Sequence, residues 1–81
     1  MTLTELPQRT HAIVDLVHDL HANDNIARRL RELGFVPGEQ VQVVARGPGG
    51  AEPILVQVGF TRFALRRSEA SRIALRESLP T

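Results

Sequence analysis

Apolar positions along this chain switch between a helical period and a two-residue period, and the switches mark the elements. Ile26, Ala27, Leu30 and Leu33 fall at i, i+1, i+4 and i+7, which gathers four apolar side chains on one helical face and leaves Arg28, Arg29, Arg31 and Glu32 largely on the other. The spacing predicts an amphipathic helix laid on a core, capped at its start by Asn23 or Asp24. Gly34 stands where a left-handed stop residue is wanted, with Phe35 placed to touch Leu30 as in a Schellman motif. Val36-Pro37-Gly38-Glu39 then has Pro and Gly at the two central places of a type II turn. The helix is therefore expected to hand over directly to a strand through Gln40-Val41-Gln42-Val43-Val44-Ala45, with Val41, Val43 and Ala45 on one face.

The two-residue period recurs elsewhere. Over Thr10 to Val17, Ala12, Val14 and Leu16 alternate with His11, Ile13, Asp15 and Val17, a strand with one face buried. Arg46-Gly47-Pro48-Gly49-Gly50-Ala51-Glu52 cannot continue a ladder and reads as a hairpin connection. Pro53 to Val58 returns, with Ile54, Val56 and Val58 on one face. Gly59 breaks that strand, and a tight turn through Phe60 leads into Arg62 to Arg66, with Phe63 and Leu65 pointing one way. Ser68 is placed to cap a single turn through Glu69, Ala70 and Ser71, and Ile73-Ala74-Leu75 makes a last short strand. At the other end, Thr2 and Glu5 are spaced as a capping box for one short turn stopped by Pro7, a lid at most. Five short strands, one helix between the first and second and a helical turn before the last predict a mainly β fold. A small, strongly bent barrel whose closure protects its edges suits them best.

Length and composition narrow the function. Eighty-one residues make one domain over 1–81, with a core over about 3–75 and a tail at 76–81. A chain this short removes roughly 60 to 65% of its unfolded surface on folding, so a large substrate cleft is not expected. There is no cysteine for a disulfide or thiolate site, no basic N-terminal leader, and no apolar run near the length of a membrane span, all of which fit a cytoplasmic protein. All ten basic residues are arginine against nine acids, a net charge of +1 spread along the chain. That is a weak footprint for nucleic acid, and with no Lys and three Phe as the sole aromatics neither base stacking nor an aromatic proline-peptide groove is supported.

At this point the residues resemble the FeoA family, the small cytoplasmic component of bacterial ferrous iron uptake. The resemblance rests on Arg29-Leu30-x-x-Leu33-Gly34-Phe35-Val36-Pro37-Gly38, on Val41 and Val43, on Gly59-Phe60-x-x-Phe63-Ala64-Leu65-Arg66 and on Glu69-Ala70-x-x-Ile73, and it runs from Leu3 to Leu75. It implies an SH3-like β-barrel, a place in iron homeostasis and transition-metal handling, and a role supporting the membrane transporter FeoB through that protein's cytoplasmic GTP-binding domain or its membrane-proximal surface, without insertion into the membrane. Many family members carry Pro-Gly where this chain has Pro7-Gln8. The SH3-like domain of iron-dependent repressors is a second relative; with no helix-turn-helix pattern in these residues, a free-standing module is the expected match.

The candidate chemistry is sparse. His11, His18 and His21, with Asp15, Asp19 or Asp24, suggest a two-His, one-carboxylate site, but no diagnostic spacing supports it and no metal site or cofactor is expected. Ser68, Ser71 and Ser78 lack a nucleophile elbow, and Gly47-x-Gly49-Gly50 lacks the Gly-Lys-Ser/Thr of a phosphate loop, so the chain reads as a binding protein rather than an enzyme. A monomer or weak homo-oligomer is expected, with Arg28, Arg29, Leu33, Phe35, Val36 and Phe60 as the partner surface and Gly34, Pro37, Gly38 and Gly59 as turn residues. Leu30 and Leu33 also have a plain reading as core, whereas Phe35, Val36 and Phe60 sit at turns and suit apolar anchors with an arginine rim. Two alternatives stay open: GTPase activation by Arg46, Arg66 or Arg67 supplied in trans, and a repressor-related or nucleic-acid-binding domain.

Overall fold

The computed structural model describes residues 1–50 and 52–76. The five expected strands form one antiparallel sheet: β1 (His11–Val17), β2 (Gln40–Arg46), β3 (Ile54–Val58), β4 (Thr61–Leu65) and β5 (Ile73–Leu75), in the order β4-β3-β2-β1-β5. Helix α1 (Asn25–Leu33) lies between β1 and β2, and a single turn, α2 (Arg67–Ala70), precedes β5. The tail beyond residue 76, with Ser78, and Ala51 of the hairpin loop lie outside the described residues.

The sheet curls without closing through hydrogen bonds. No ladder joins β4 to β5 among the described residues, so the expected barrel closure is not continuous. β4 keeps an open edge, whereas the outer edge of β5 is met by the N-terminal residues, with Thr2 bridged to Ala74 and the Leu75 N–H on the Met1 carbonyl. The curl comes from β1, which changes partner part-way: His11 to Ile13 pair with β2, and Val14 to Val17 pair with β5. A register shift between Val14 and Leu16 marks the change. An extra residue resets which side chains face inward, and this corrects the simple alternation: Val14 and Val17 are buried while Leu16 is exposed. A second shift, between Val43 and Ala45, bends β2 near the hairpin loop.

The helix stop forms as expected. Gly34 adopts φ +117°, its N–H donates to the carbonyl of Arg31, and the Phe35 N–H donates to that of Leu30 at 3.1 Å. Those are the two hydrogen bonds of a Schellman motif. Val36 to Glu39 closes as a turn with Glu39 N–H on the Val36 carbonyl and Gly38 at φ +94°. The turn is also stitched to β1, since Gly38 N–H donates to the Val14 carbonyl and Val14 N–H to the Glu39 carbonyl.

The N-terminal segment does more than cover an end. Leu3 and Leu6 are buried in the core with Leu30, Phe35, Val43, Ile54 and Ile73, so the expectation of a mere lid is corrected. Glu5 supplies one arm of the capping box: its Oε1 accepts from Thr2 N–H at 2.9 Å, which holds the carboxyl below its usual range. The Arg46 guanidinium clamps the segment from outside by donating to the carbonyls of Thr4 and Leu6.

Ser68 is not the cap of α2. It lies inside that turn, and Glu69 Oε1 reaches back to accept the Arg66 N–H at 2.7 Å. The cap of α1 is Asp24, not Asn23: its Oδ1 accepts the N–H groups of Ile26 and Ala27.

Candidate interaction surface

Asp24 does a second job that the sequence pattern does not reveal. Its other carboxylate oxygen, Oδ2, accepts from Arg72 Nε at 2.8 Å and from the Leu20 N–H at 3.0 Å. Arg72 in turn donates through Nη1 to the Ser68 carbonyl, and its own carbonyl accepts the His18 N–H. Asp24 and Arg72 are 4% and 5% exposed, and they are the buried charged residues of the described fold. The Arg72 hydrogen bond, followed by that of Leu20, holds the Asp24 carboxyl far below the usual range, against the opposing effect of burial. A buried pair is tolerable only when its remaining hydrogen-bonding capacity is filled, and no buried side-chain polar atom among the described residues lacks a partner. Asp24 is legible as a helix cap, but a partner 48 positions away is not, because neither residue signals the other.

The six side chains expected at a partner surface separate into two groups. Phe35 is fully buried, with its ring centroid 6.0 Å from that of Phe63, and this corrects its assignment as an exposed anchor. The Schellman stop turns the chain inward at that residue, so a position that follows a helix end in sequence faces the core in space. Leu33 is half-buried and packs against the core. Arg28, Arg29 and Val36 are exposed, and Phe60 is entirely so.

Phe60 owes its exposure to the turn. Val58 pairs with Thr61, leaving Gly59-Phe60 as a two-residue loop with Gly59 at φ +59°, and glycine in the first place of such a loop suits the tight hairpin turns. Gly34 lies against Val58: a Cβ there would stand 3.9 Å from Val58 Cγ1. The helix exit carrying Val36 and the hairpin tip carrying Phe60 therefore share one end of the molecule. A cleft of about 310 Å³ opens beside that tip, lined by Phe60, Gly59, Gln57, Val41, Gln40 and His11 among others. A second cleft of similar volume lies between α1 and β4, walled by Ile26, Leu30 and Leu33 on one side and by Phe63, Ala64 and Leu65 on the other, with Arg29, Arg62 and Glu69 at its rim.

The histidines do not converge. His11 is hydrogen-bonded to Gln40, His21 to the Ala22 carbonyl, and no group of three or more metal-ligating side chains occurs among the described residues. Asp24, one of the carboxylates considered for a metal, is committed to Arg72, and Asp19 is paired with Arg31 at 3.1 Å. Arg46 is engaged with the N-terminal carbonyls, so of the three arginines considered for transfer in trans only Arg66 and Arg67 present exposed side chains.

A small curled sheet of five antiparallel strands with a helix between the first two defines an SH3-like domain. The FeoA domain family model matches residues 1–77, and the chain belongs to that family. It is 70% identical to FeoA of Stenotrophomonas maltophilia, a procaryotic SH3 domain protein whose structure was solved in complex with zinc. The match covers 94% of this chain and 89% of that one with a TM-score of 0.89. FeoA of Chlorobium tepidum is 35% identical over 93% of this chain and 68% of its own, with a TM-score of 0.77. IdeR of T. acidophilum, at 17% identity over 93% of this chain and 32% of its own with a TM-score of 0.74, shares the fold alone. No curated protein matches at a significant level.

Proposed function

We propose that this protein is a cytoplasmic accessory and regulatory component of bacterial ferrous iron uptake that acts by binding the cytoplasmic part of the FeoB transporter. The observation that carries this reading is family membership over nearly the whole chain, joined to 70% identity with a FeoA for which a role as a ferrous iron transport activating factor has been suggested. The exposed end of the molecule supports it: Phe60 projects from a rigid two-residue turn, Val36 projects beside the helix exit, and Arg28 and Arg29 stand free on the outer face of α1. Aromatic and arginine side chains are the ones that dominate binding energy at protein interfaces. The mode of action is binding rather than catalysis.

The test is an NMR titration of labelled protein with the isolated cytoplasmic domain of the cognate FeoB, first with GDP and then with a non-hydrolysable GTP analogue. Localised shifts at Phe60, Val36 and the outer face of α1 are expected, and a difference between the nucleotides would make regulation the mechanism. The absence of shifts at high concentration of both proteins would refute binding to that domain.

A further inference from the structure

The cleft between α1 and β4 borders an open strand edge, and together they have the form of a peptide-binding groove. β4 is an end strand, paired with β3 alone. In a two-residue hairpin the closing pair, here Val58 and Thr61, exchanges hydrogen bonds, and alternate pairs do the same. Thr61, Phe63 and Leu65 thus spend their backbone groups on β3, while the N–H and C=O of Arg62 and Ala64 point outward. None of the backbone hydrogen bonds outside the regular ladders reaches residues 61–65 among the described residues. Beside this edge, Leu33 and Phe63 are half-buried and present apolar surface over a floor formed by the buried Leu30 and Leu65.

Charge selects the occupant. Arg29 makes no ion pair or side-chain hydrogen bond among the described residues, and Arg62 bonds only the neutral Gln57, so two cations at the rim are without an ion-pair partner and outnumber its one acid. The one acid at the rim, Glu69, has its carboxylate turned to the Arg66 N–H.

We infer that β4 accepts an extended acidic segment of a partner protein as a sixth, antiparallel or parallel strand. Alternate apolar side chains of that segment enter the α1–β4 cleft, and its carboxylates meet Arg62 and Arg29. Main-chain hydrogen bonds to Arg62 and Ala64 supply affinity that is indifferent to sequence, and the cleft and the arginines supply the selection. This rests on the protein being a binding module and not on FeoB being its partner, and it concerns the β4 edge rather than the Phe60 tip, sharing only Arg29 with the surface proposed for FeoB.

The probe is a synthetic heptapeptide with blocked ends, Asp-Val-Glu-Leu-Glu-Val-Asp, titrated into labelled full-length protein. Expected are shifts confined to Thr61–Leu65 and the Ile26–Leu33 face, slowed exchange of the Arg62 and Ala64 amides, and no response to the same peptide with lysine at each acidic place. Ala64→Pro removes an outward N–H while leaving the β3 ladder intact, as proline on an edge strand allows. It should weaken binding at least about tenfold, with a thermal melt confirming that the domain remains folded. Arg62→Glu, which alters no backbone donor, should weaken binding by a similar factor and keeps the test open should the proline variant not fold. Equal binding by the folded proline variant, equal binding of the lysine peptide, or shifts confined to Phe60 would each overturn the proposal. So would concentration-dependent shifts of Thr61–Leu65 without peptide, which would assign the edge to a second copy of this chain.

Discussion

Replacing Gly34 by alanine tests the helix stop with few confounding effects. At φ +117° the backbone sits in the left-handed half of conformational space and beyond the centre of the αL region. An L-residue there costs about 1–2 kcal/mol, and the excursion past the αL centre argues for the upper part of that range. The added methyl contributes no clash, because it would meet Val58 Cγ1 at 3.9 Å, an ordinary contact distance. Alanine also narrows the unfolded ensemble and returns about 0.4–1 kcal/mol. The expected net loss is about 1 kcal/mol, a sizeable share of the roughly 4–12 kcal/mol available to a domain of this length. In a thermal melt this is a fall of about 4–8 °C, and in urea a lower midpoint with an unchanged slope. Glu32→Ala, two residues earlier on the exposed face, should stay within about 0.5 kcal/mol of the parent. A Gly34→Ala melt equal to or above the parent would show that this backbone is not held left-handed in solution and that the stop has been misread.

Four further outcomes are expected. Because the folded-state Asp24 carboxyl titrates far below its ordinary value of 3.8, the stability it contributes is fully present above that value and is lost as pH falls below it toward the depressed folded value. A melting-temperature profile from pH 5 to pH 2 should therefore fall for the parent and fall less for Asp24→Asn, and parallel profiles would refute the pairing. Phe35→Ala should cost about 3–5 kcal/mol by emptying a core site, whereas Phe60→Ser should leave the melt within about 0.5 kcal/mol while abolishing the expected FeoB-domain shifts. Charge reversal at Arg28 should likewise leave the melt unchanged, and an unfolded variant would mean that the faces of α1 are assigned the wrong way round. Arg46→Met should cost about 1.5–3 kcal/mol, because it strips charged hydrogen bonds from the Thr4 and Leu6 carbonyls.

What could be read from the sequence was governed by local geometry. The α1 period, the Gly34 stop and the Pro37-Gly38 turn each follow from residues within a few positions of one another, and the structure holds them as expected. The ends of the strands shift by a residue for the same reason that helix ends fray. What escaped depends on distant chain segments. The bulge at Val14–Leu16 arises because β1 must serve two partners, a demand that its own alternation does not record. Phe35 looks exposed when only its turn is considered, and is buried once β3 and β4 are present to receive it. The Asp24–Arg72 pair joins two polar residues 48 positions apart, and only the fold brings them within 2.8 Å.

That pair also bears on how the domain can come apart. The start of α1 is fixed by a carboxylate that is itself oriented by an arginine next to β5, β5 pairs with β1, and the Leu75 N–H donates to the carbonyl of Met1. Head, helix and final strand thus share one interlocked set of bonds, and loss of the last strand would remove one of the two partners of β1, the counter-charge of the helix cap and the anchor of the first residue together. Unfolding is accordingly expected to be all-or-none, with α1, β1 and β5 losing amide protection at a single free energy in hydrogen exchange. A module with no loosely held half can yield on its turns and its open edge without surrendering the rest.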